Sequence, residues 1–385
     1  MSSPDDFIPF NRPSLLGDEL GHMRDAVERG WISGDGHYTK ECHKRLAVML
    51  ACEKVLLTTS CTDSLEMAAM LCDVGPGDEV IIPDFTFVST ANAFASRGAT
   101  PVFVDVREDT LNLDERLLSA AISPRTKAIV PVHYAGVACE MDEIGRVARE
   151  AGVRVVEDAA QSLGATYRGR PLGAIGDLGA FSFHETKNLH CGEGGALAVN
   201  DPTLAPRAEV LWQKGTNRNR FLRGEVDKYT WCDFGSSFLP SDLLAAFLLA
   251  QLEHVERVTA ARRRLFDRYM AAFESLEHDG RVRRPQIPAE LADAHNGHIF
   301  FLLCADGDER DRLISHLRGL GIHAVFHYQP LHRSEMGARY AKPGTSCPVS
   351  VRVSDQLVRL PIYHGLRDDE QDRVIDAVLG FHRTA

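Results

Sequence analysis

The chain has 385 residues, enough for one large core and a second, smaller one. Its 44% hydrophobic and 25% charged residues are those of an ordinary globular protein, and a formal net charge of −11 argues against a general nucleic-acid binder while leaving room for a nucleotide in a local basic pocket. No apolar run reaches the length of a membrane span, and the first ten residues, MSSPDDFIPF, lack the basic and apolar regions of a signal peptide. Nine scattered cysteines include no C-x-x-C pair, and with the 16 histidines they make no zinc spacing. A cytoplasmic location, free thiols, no membrane partner and no metal are expected.

Residues 1–13 are polar and carry Pro9 and Pro13, which reads as an extended arm, followed by a helix over about 17–29. The turn cluster from Trp31 to Gly36 either joins two helices or faces a ligand. Regular alternation then begins. Strands are expected at 54–58, 79–83, 101–106, 128–133, 154–157 and 196–199, and helices at 65–71, 87–97, 114–121, 141–151 and 203–213. Such alternation means βαβ units and a mostly parallel sheet covered on both faces, with ligands beyond the carboxyl ends of the strands. Ser60 to Thr62, Asp84 to Phe87, His133-Tyr134 and Asp158 stand at those ends. Residues 214–240 form a long irregular segment carrying Lys214, Arg218, Arg220, Arg223 and Lys228, either a functional loop or a solvated excursion. A helical stretch at 241–275 leads to strands at 298–303 and 323–327, a helix at 309–319 and a terminal helix after Arg367. The expected division is an arm and large domain over 1–245 and a linking helix with a small domain over 246–385.

The densest chemistry lies between Val153 and Gly195. Asp158 closes a β-branched run, and Lys187 follows a second apolar run at 180–183. Pyridoxal phosphate needs this pair, a lysine for the imine and an acid for the pyridine nitrogen. The plainer readings are an Arg or backbone cap for Asp158 and a solvated Lys on a Gly-rich loop. With the cofactor present, Gln161 could bond the ring hydroxyl and Lys187 could serve as general base. Ser60-Cys61-Thr62 enters a helix, whose first N–H groups suit a phosphate, although Ser and Thr also cap helices for structural reasons alone. Phe87 could stack on a flat ring or fill a core. A G-x-G-x-x-G after the first strand, a Walker A motif and G-x-S-x-G are all missing, which disfavours nicotinamide, NTPase and serine-hydrolase chemistry.

In Glu157-Asp158-Ala159-Ala160-Gln161-Ser162, Phe181-Ser182-Phe183 with Lys187, and Gly192-Glu193-Gly194-Gly195, the sequence resembles the nucleotide-sugar aminotransferases. These are pyridoxal-phosphate (PLP) enzymes with the aspartate-aminotransferase fold (fold type I). The likeness runs from Ile8-Pro9-Phe10-Asn11-Arg12-Pro13 to the final helix. Ser60-Cys61-Thr62 and residues 87–92, 131–136, 215–218 and 226–231 look closest to the dTDP-4-oxo-6-deoxyglucose 4-aminotransferases.

The resemblance implies an α/β fold, with a large domain around a mostly parallel central sheet and a smaller C-terminal α/β domain. It implies that Lys187 holds PLP as a Schiff base, Asp158 pairs with the pyridine nitrogen, Gln161 with the ring oxygen, and Phe87 stacks on the ring. Cys61, Thr62 and Ser182 would hold the phosphate. Family members are dimers with sites at the subunit interface, so the 214–240 loop would reach the partner's site. Lys214, Arg218, Lys228 and Tyr229 would then meet the substrate, the cations suiting its diphosphate. His327 and Tyr328 would touch the sugar or serve structure, as would His332. Many relatives carry Asn at the position of Ser237, donated across the dimer to the phosphate, and Arg at that of Leu239; Ser237 would make a shorter contact. Relatives that deoxygenate the sugar carry His in place of the lysine, so Lys187 favours amination. The implied reaction is ping-pong. L-glutamate converts PLP to pyridoxamine phosphate (PMP), and the 4-oxo carbon of dTDP-4-oxo-6-deoxy-D-glucose then takes the amine, with the C4 stereochemistry of the product open. A PLP-dependent lyase or dehydratase acting on a similar sugar is the alternative, and a ligand-binding member of the fold a third.

Overall fold

The computed structural model describes residues 7–384; residues 1–6 of the expected arm lie outside the described residues. Its strands are β1 (Lys54–Thr58), β2 (Glu79–Pro83), β3 (Thr100–Val104), β4 (Thr126–Ile129), β5 (Arg154–Asp158), a short hairpin of β6 (Thr166–Tyr167) and β7 (Arg170–Pro171), β8 (Leu178–Ser182), β9 (Gly195–Val199), β10 (Phe300–Leu303) and β11 (Leu357–Leu360). Seven of them form one sheet in the order β1-β9-β8-β5-β4-β2-β3. Only β9 runs against its neighbours; the remaining pairs are parallel.

Strand alternation sends successive side chains to opposite faces, and both faces are buried. Leu56, Ile82, Ala128, Val156, Ala180 and Leu197 face a layer that includes helices Cys61–Leu71, Val88–Ala95 and Ala205–Trp212. Val55, Leu57, Phe181 and Ala196 face helices His37–Leu50 and Asp242–Leu252, while Ile81, Ile129 and Val155 face helix Met141–Ala151. Each fully buried Leu, Ile, Val or Phe contributes about 1.5–3 kcal/mol, so these layers fix which ends of the strands stay open. A separate core gathers Phe266, Tyr269, Phe273, Phe300, Val358, Leu360 and Phe381 around the antiparallel pair β10–β11. The arm joins it: Ile8 donates to the Gly321 carbonyl at 2.9 Å and accepts from His323 N–H at 2.9 Å.

Several expected elements are corrected. Residues 323–327 form no strand; Val325 makes a single bridge to Arg359 before the chain turns away at Gln329-Pro330, where proline has no N–H to donate. The partner of β10 is instead β11, in which Leu357, Val358 and Leu360 are buried. The stretch 241–275 is three helices, Asp242–Leu252, Val255–Ala272 and Glu274–His278, because the chain leaves helical geometry at His254 and again at Phe273. The strand expected at 128–133 ends its ladder at Ile129, although Val132 still bridges Asp158. The turn at 31–36 joins helix Glu19–Glu28 to helix His37–Leu50, a helix for which the sequence reading gave no range.

Candidate active site

The carboxyl ends of β1, β5 and β8 and the amino end of β9 open into one cavity of about 650 Å³. Cys61, Thr62, Phe87, Asp158, Gln161, Ser182, Lys187, His327 and Tyr328 all line it. The sequence therefore places nine of its candidates around a single space.

Asp158 ends β5 and is 5% exposed. Its Oδ2 accepts from Thr90 Oγ1 at 2.7 Å and its Oδ1 from Ala160 N–H at 3.2 Å. Burial pushes its pKa up, against the pull of those bonds and of the Lys187 charge. A carboxylate in this condition gains from a cationic partner on the cavity side. Glu157, its neighbour in sequence, does a different job. Strand alternation turns it to the opposite face, where it accepts from His133 Nε2 at 2.8 Å and from the N–H groups of Gly173, Ile175 and Gly176 at 2.8, 2.6 and 2.6 Å. It anchors the loop that leads into β8.

Lys187 follows β8 in the loop 183–194. Burial lowers its pKa, Arg359 lowers it further, and Cys61 and Asp158 oppose the change. A lowered amine pKa leaves more of the neutral form, the form that acts as nucleophile and base.

The end of the cavity at the helix entrance is built by close backbone approach. Ser60 caps the helix Cys61–Leu71 by accepting from Asp63 N–H at 3.1 Å. The first N–H groups of a helix have no intrahelical acceptor and carry partial positive charge, and here they border the cavity. Gly195 pairs with Thr58 on one side and Ser182 on the other. A Cβ on Gly195 would lie 2.4 Å from the Ser60 carbonyl carbon and 2.6 Å from Cys61 N, so only glycine lets β9 bring Ser182 beside the helix entrance. Thr62 Oγ1 donates to Ser89 Oγ at 2.8 Å.

Phe87 is 56% exposed at the cavity edge, with the Tyr328 ring 6.2 Å away, so the core-filling reading is corrected. Gln161 is held at both ends: its Oε1 accepts from Ala135 N–H at 2.7 Å and its Nε2 donates to Tyr328 Oη at 2.9 Å. His327 stacks on Tyr328 with centroids 3.6 Å apart and bonds Tyr134 Oη at 2.8 Å; burial drives its pKa well down, keeping it neutral. His332 belongs elsewhere. Its backbone N–H and Nδ1 bond Asp84 at 2.8 and 2.7 Å, in a knot with Cys347, and it does not border the cavity.

Lys214, Arg218, Lys228, Tyr229 and Ser237 are not in this cavity. They lie on the 214–240 segment, which contains the short helix Arg218–Leu222 and exposes Leu222, Tyr229, Trp231 and Phe234. Arg220 and Arg223 are paired with Glu225, and Arg223 also with Glu209, whereas Lys214, Arg218 and Lys228 form no ion pair among the described residues. Thr90, His298, Phe10 and Arg359 were missed. Thr90 and Phe10 stand in stretches that carry the resemblance, but their contacts with Asp158 and Arg359 are visible only in space.

A buried acid, a lysine of lowered pKa and a helix entrance around one cavity fit a PLP site, and with the fold they define a fold type I aminotransferase. The chain belongs to the DegT/DnrJ/EryC1/StrS aminotransferase family, whose model matches residues 13–379. It is 35% identical to GDP-perosamine synthase of Caulobacter vibrioides over 96% of this chain and 97% of that protein. Among solved structures, it superposes on the aminotransferase TlmJ of Streptoalloteichus hindustanus with a TM-score of 0.90 at 31% identity, covering 98% and 99% of the two chains. It superposes on the PLP form of the putative sugar aminotransferase Spr1654 of Streptococcus pneumoniae with a TM-score of 0.88 at 27% identity, covering 98% and 99%. The protein is thus a sugar aminotransferase with PLP as its cofactor. Among the described residues no helix is long and apolar enough to cross a membrane.

Proposed function

We propose that the chain moves an amino group from L-glutamate to C4 of dTDP-4-oxo-6-deoxy-D-glucose, giving a dTDP-4-amino-4,6-dideoxyhexose. The observation that carries this reading is the meeting of Asp158 and Lys187 in one cavity beside the helix entrance at Cys61. The cofactor, once bound, supplies an electron sink for the carbon that bears the amine. Asp158, aligned by Thr90, would hold the proton on its ring nitrogen. Gln161, fixed by Ala135 and Tyr328, would face its ring oxygen, and Phe87 its ring face. Cys61, Thr62 and Ser182 would receive its phosphate. Lys187 would anchor it and afterwards take and return the proton at the substrate carbon, a role its lowered pKa suits.

Amination at C4 and the dTDP carrier rest on the likeness of 87–92, 131–136, 215–218 and 226–231 to the 4-aminotransferases. A relative named for a GDP-sugar makes the nucleotide the first variable to test. A homodimer is part of the proposal. Leu20, Val27, Trp31, Ile32, Trp231 and Phe234 are apolar and exposed, and are available for a second copy to cover. In the dimer that the family likeness implies, the 214–240 segment would carry Lys214, Arg218, Lys228, Tyr229 and Ser237 to the partner's cavity. The nine cysteines, all free, suit a reducing cytoplasm.

Purified enzyme mixed with L-glutamate should exchange the visible absorbance of the imine for that of PMP, and Lys187→Ala should not. Turnover of a 4-oxo sugar nucleotide by Lys187→Ala would refute the assignment. Loss of water without gain of nitrogen in the product would identify a lyase or dehydratase instead.

A further inference from the structure

A second group of chemically distinct side chains lies outside the cavity of Lys187. Asp84 follows β2, and its carbonyl accepts from Leu331 N–H at 2.9 Å, which brings the stretch after Tyr328 against the end of the sheet. Asp84 Oδ1 accepts from His332 N–H at 2.8 Å, and its Oδ2 meets His332 Nδ1 at 2.7 Å. Cys347 joins them from the amino end of helix Pro348–Gln356. One oxygen of Asp84, one nitrogen of His332 and the Cys347 Sγ all lie within 4.8 Å of one another. Asp84 and Cys347 are buried, and an edge of His332 reaches solvent. The charge here is one-sided. Asp105, also buried, is near enough for its charge to act on Asp84 and on Cys347. Among the described residues neither carboxylate forms an ion pair with Lys or Arg, and His332 is the one basic partner of Asp84. Buried carboxylates in this condition gain from a cation that arrives.

We propose that Asp84, His332 and Cys347 bind one divalent transition-metal ion of the zinc type, with water in the fourth position. The donor set selects the metal. A thiolate, an imidazole and a carboxylate suit Zn²⁺ and its relatives, whereas Mg²⁺ and Ca²⁺ take oxygen ligands. Zinc bonds of about 2.0–2.3 Å set tetrahedral ligands roughly 3.3–3.8 Å apart, so His332 Nδ1 has to draw back from Asp84 Oδ2 by less than about 1 Å as the ion enters. The Cys347 thiol gives its proton to solvent on binding, and the imidazole keeps one on Nε2. The bond from His332 N–H to Asp84 Oδ1 stays, and orients the ligating carboxylate. The role of the ion is structural. Thr86 and Phe87, just after Asp84, and His327 and Tyr328, just before His332, line the cavity of Lys187. A metal bridge would fix these two walls against each other without touching the reacting atoms. No metal spacing shows in the sequence, because 248 positions separate Asp84 from His332. The proposal is independent of which sugar and which amino donor the enzyme uses.

The test uses PLP-loaded enzyme stripped of metal by a chelator and then titrated with Zn²⁺ or Co²⁺ alone. Calorimetry of wild type should read one Zn²⁺ per chain, and Zn²⁺ should raise the melting temperature. Co²⁺ should give the intense visible bands of a tetrahedral site, at longer wavelength than the absorbance of the cofactor. Cys347→Ser and His332→Gln should each abolish the one-equivalent binding, the cobalt bands and the zinc-dependent rise in melting temperature. Cys232→Ser, which removes an exposed thiol, should keep all three. Should a substitution impair folding, anomalous diffraction from wild-type crystals grown with Zn²⁺ locates the ion directly, and a peak between Asp84, His332 and Cys347 is expected. No stoichiometric binding by wild type, binding that survives either Cys347→Ser or His332→Gln, or an anomalous peak only elsewhere would overturn the proposal.

Discussion

Gly195→Ala tests the construction of the proposed phosphate site. The added methyl would sit 2.4 Å from the carbonyl carbon and oxygen of Ser60 and 2.6 Å from Cys61 N. All three are backbone atoms, so no rotamer relieves the clash, and β9 must separate from the helix entrance by roughly 1 Å to restore ordinary contact, an overpacking that costs about 1–3 kcal/mol. A displacement of that size takes a hydrogen bond of about 2.9 Å beyond useful range. Losing one charge-assisted bond to the phosphate corresponds to about 1.5–3 kcal/mol, so PLP affinity should fall by roughly 10- to 100-fold. Apoenzyme titrated with PLP, followed by the imine absorbance, gives the dissociation constant, and thermal melting of apoenzyme gives the strain borne by the fold. Gly75→Ala is the control, since its added Cβ would meet only Asp78 Oδ2, at 4.0 Å. Wild-type PLP affinity and melting in Gly195→Ala would refute the claim that this contact shapes the site.

Other expectations follow from the same geometry. Asp158→Asn should leave apoenzyme folding nearly intact, because burial already disfavours the charge, yet slow PMP formation from glutamate on the order of 10²-fold or more in stopped flow. Glu157→Gln should do the reverse. Three N–H donors and His133 lose their carboxylate, at a cost of about 2–4 kcal/mol in urea unfolding. Glu79 gives a pH signature. Burial raises its pKa, but bonds from Lys342, Arg125 and Ser123 prevail and hold it at about 2. A folded pKa below the unfolded one contributes stability above the unfolded value and loses it as pH falls. Glu79→Gln should therefore cost about 1–3 kcal/mol above pH ~5 and almost nothing near pH 2; a cost constant with pH would contradict the assignment.

The chemistry was more legible than the scaffold of its second half. Asp158 and Lys187 stand out because an acid ending a buried strand and a lysine following another are rare together, and both lie within 30 residues of chain. Their supports are not local. Thr90 reaches Asp158 across 68 positions, and Gln161 reaches Tyr328 across 167, so the pairs have no signature in spacing. The sequence signal for 157 and 158 is the same for both, and only the pleat separates the anchor of a loop from the acid of a site. The alternating sheet was read nearly strand for strand because buried β-branched runs repeat between periodic helices. The C-terminal pair was not: His323 to His327 and Leu357 to Leu360 are both short and mixed, and tertiary pairing with β10 chose the second. Arg359 passed unnoticed within that run, since a charge in a short strand ordinarily faces water.

The central claim is a transfer of nitrogen to C4 by the Lys187 site. The most direct measurement is NMR of the product formed by the enzyme from dTDP-4-oxo-6-deoxyglucose and ¹⁵N-labelled L-glutamate, with the GDP-linked sugar in parallel. A single ¹⁵N coupled to the proton on C4, formed by wild type from the dTDP substrate and absent with Lys187→Ala, is the predicted result. An unlabelled product, nitrogen at another carbon, or the same labelled product from Lys187→Ala would contradict the account.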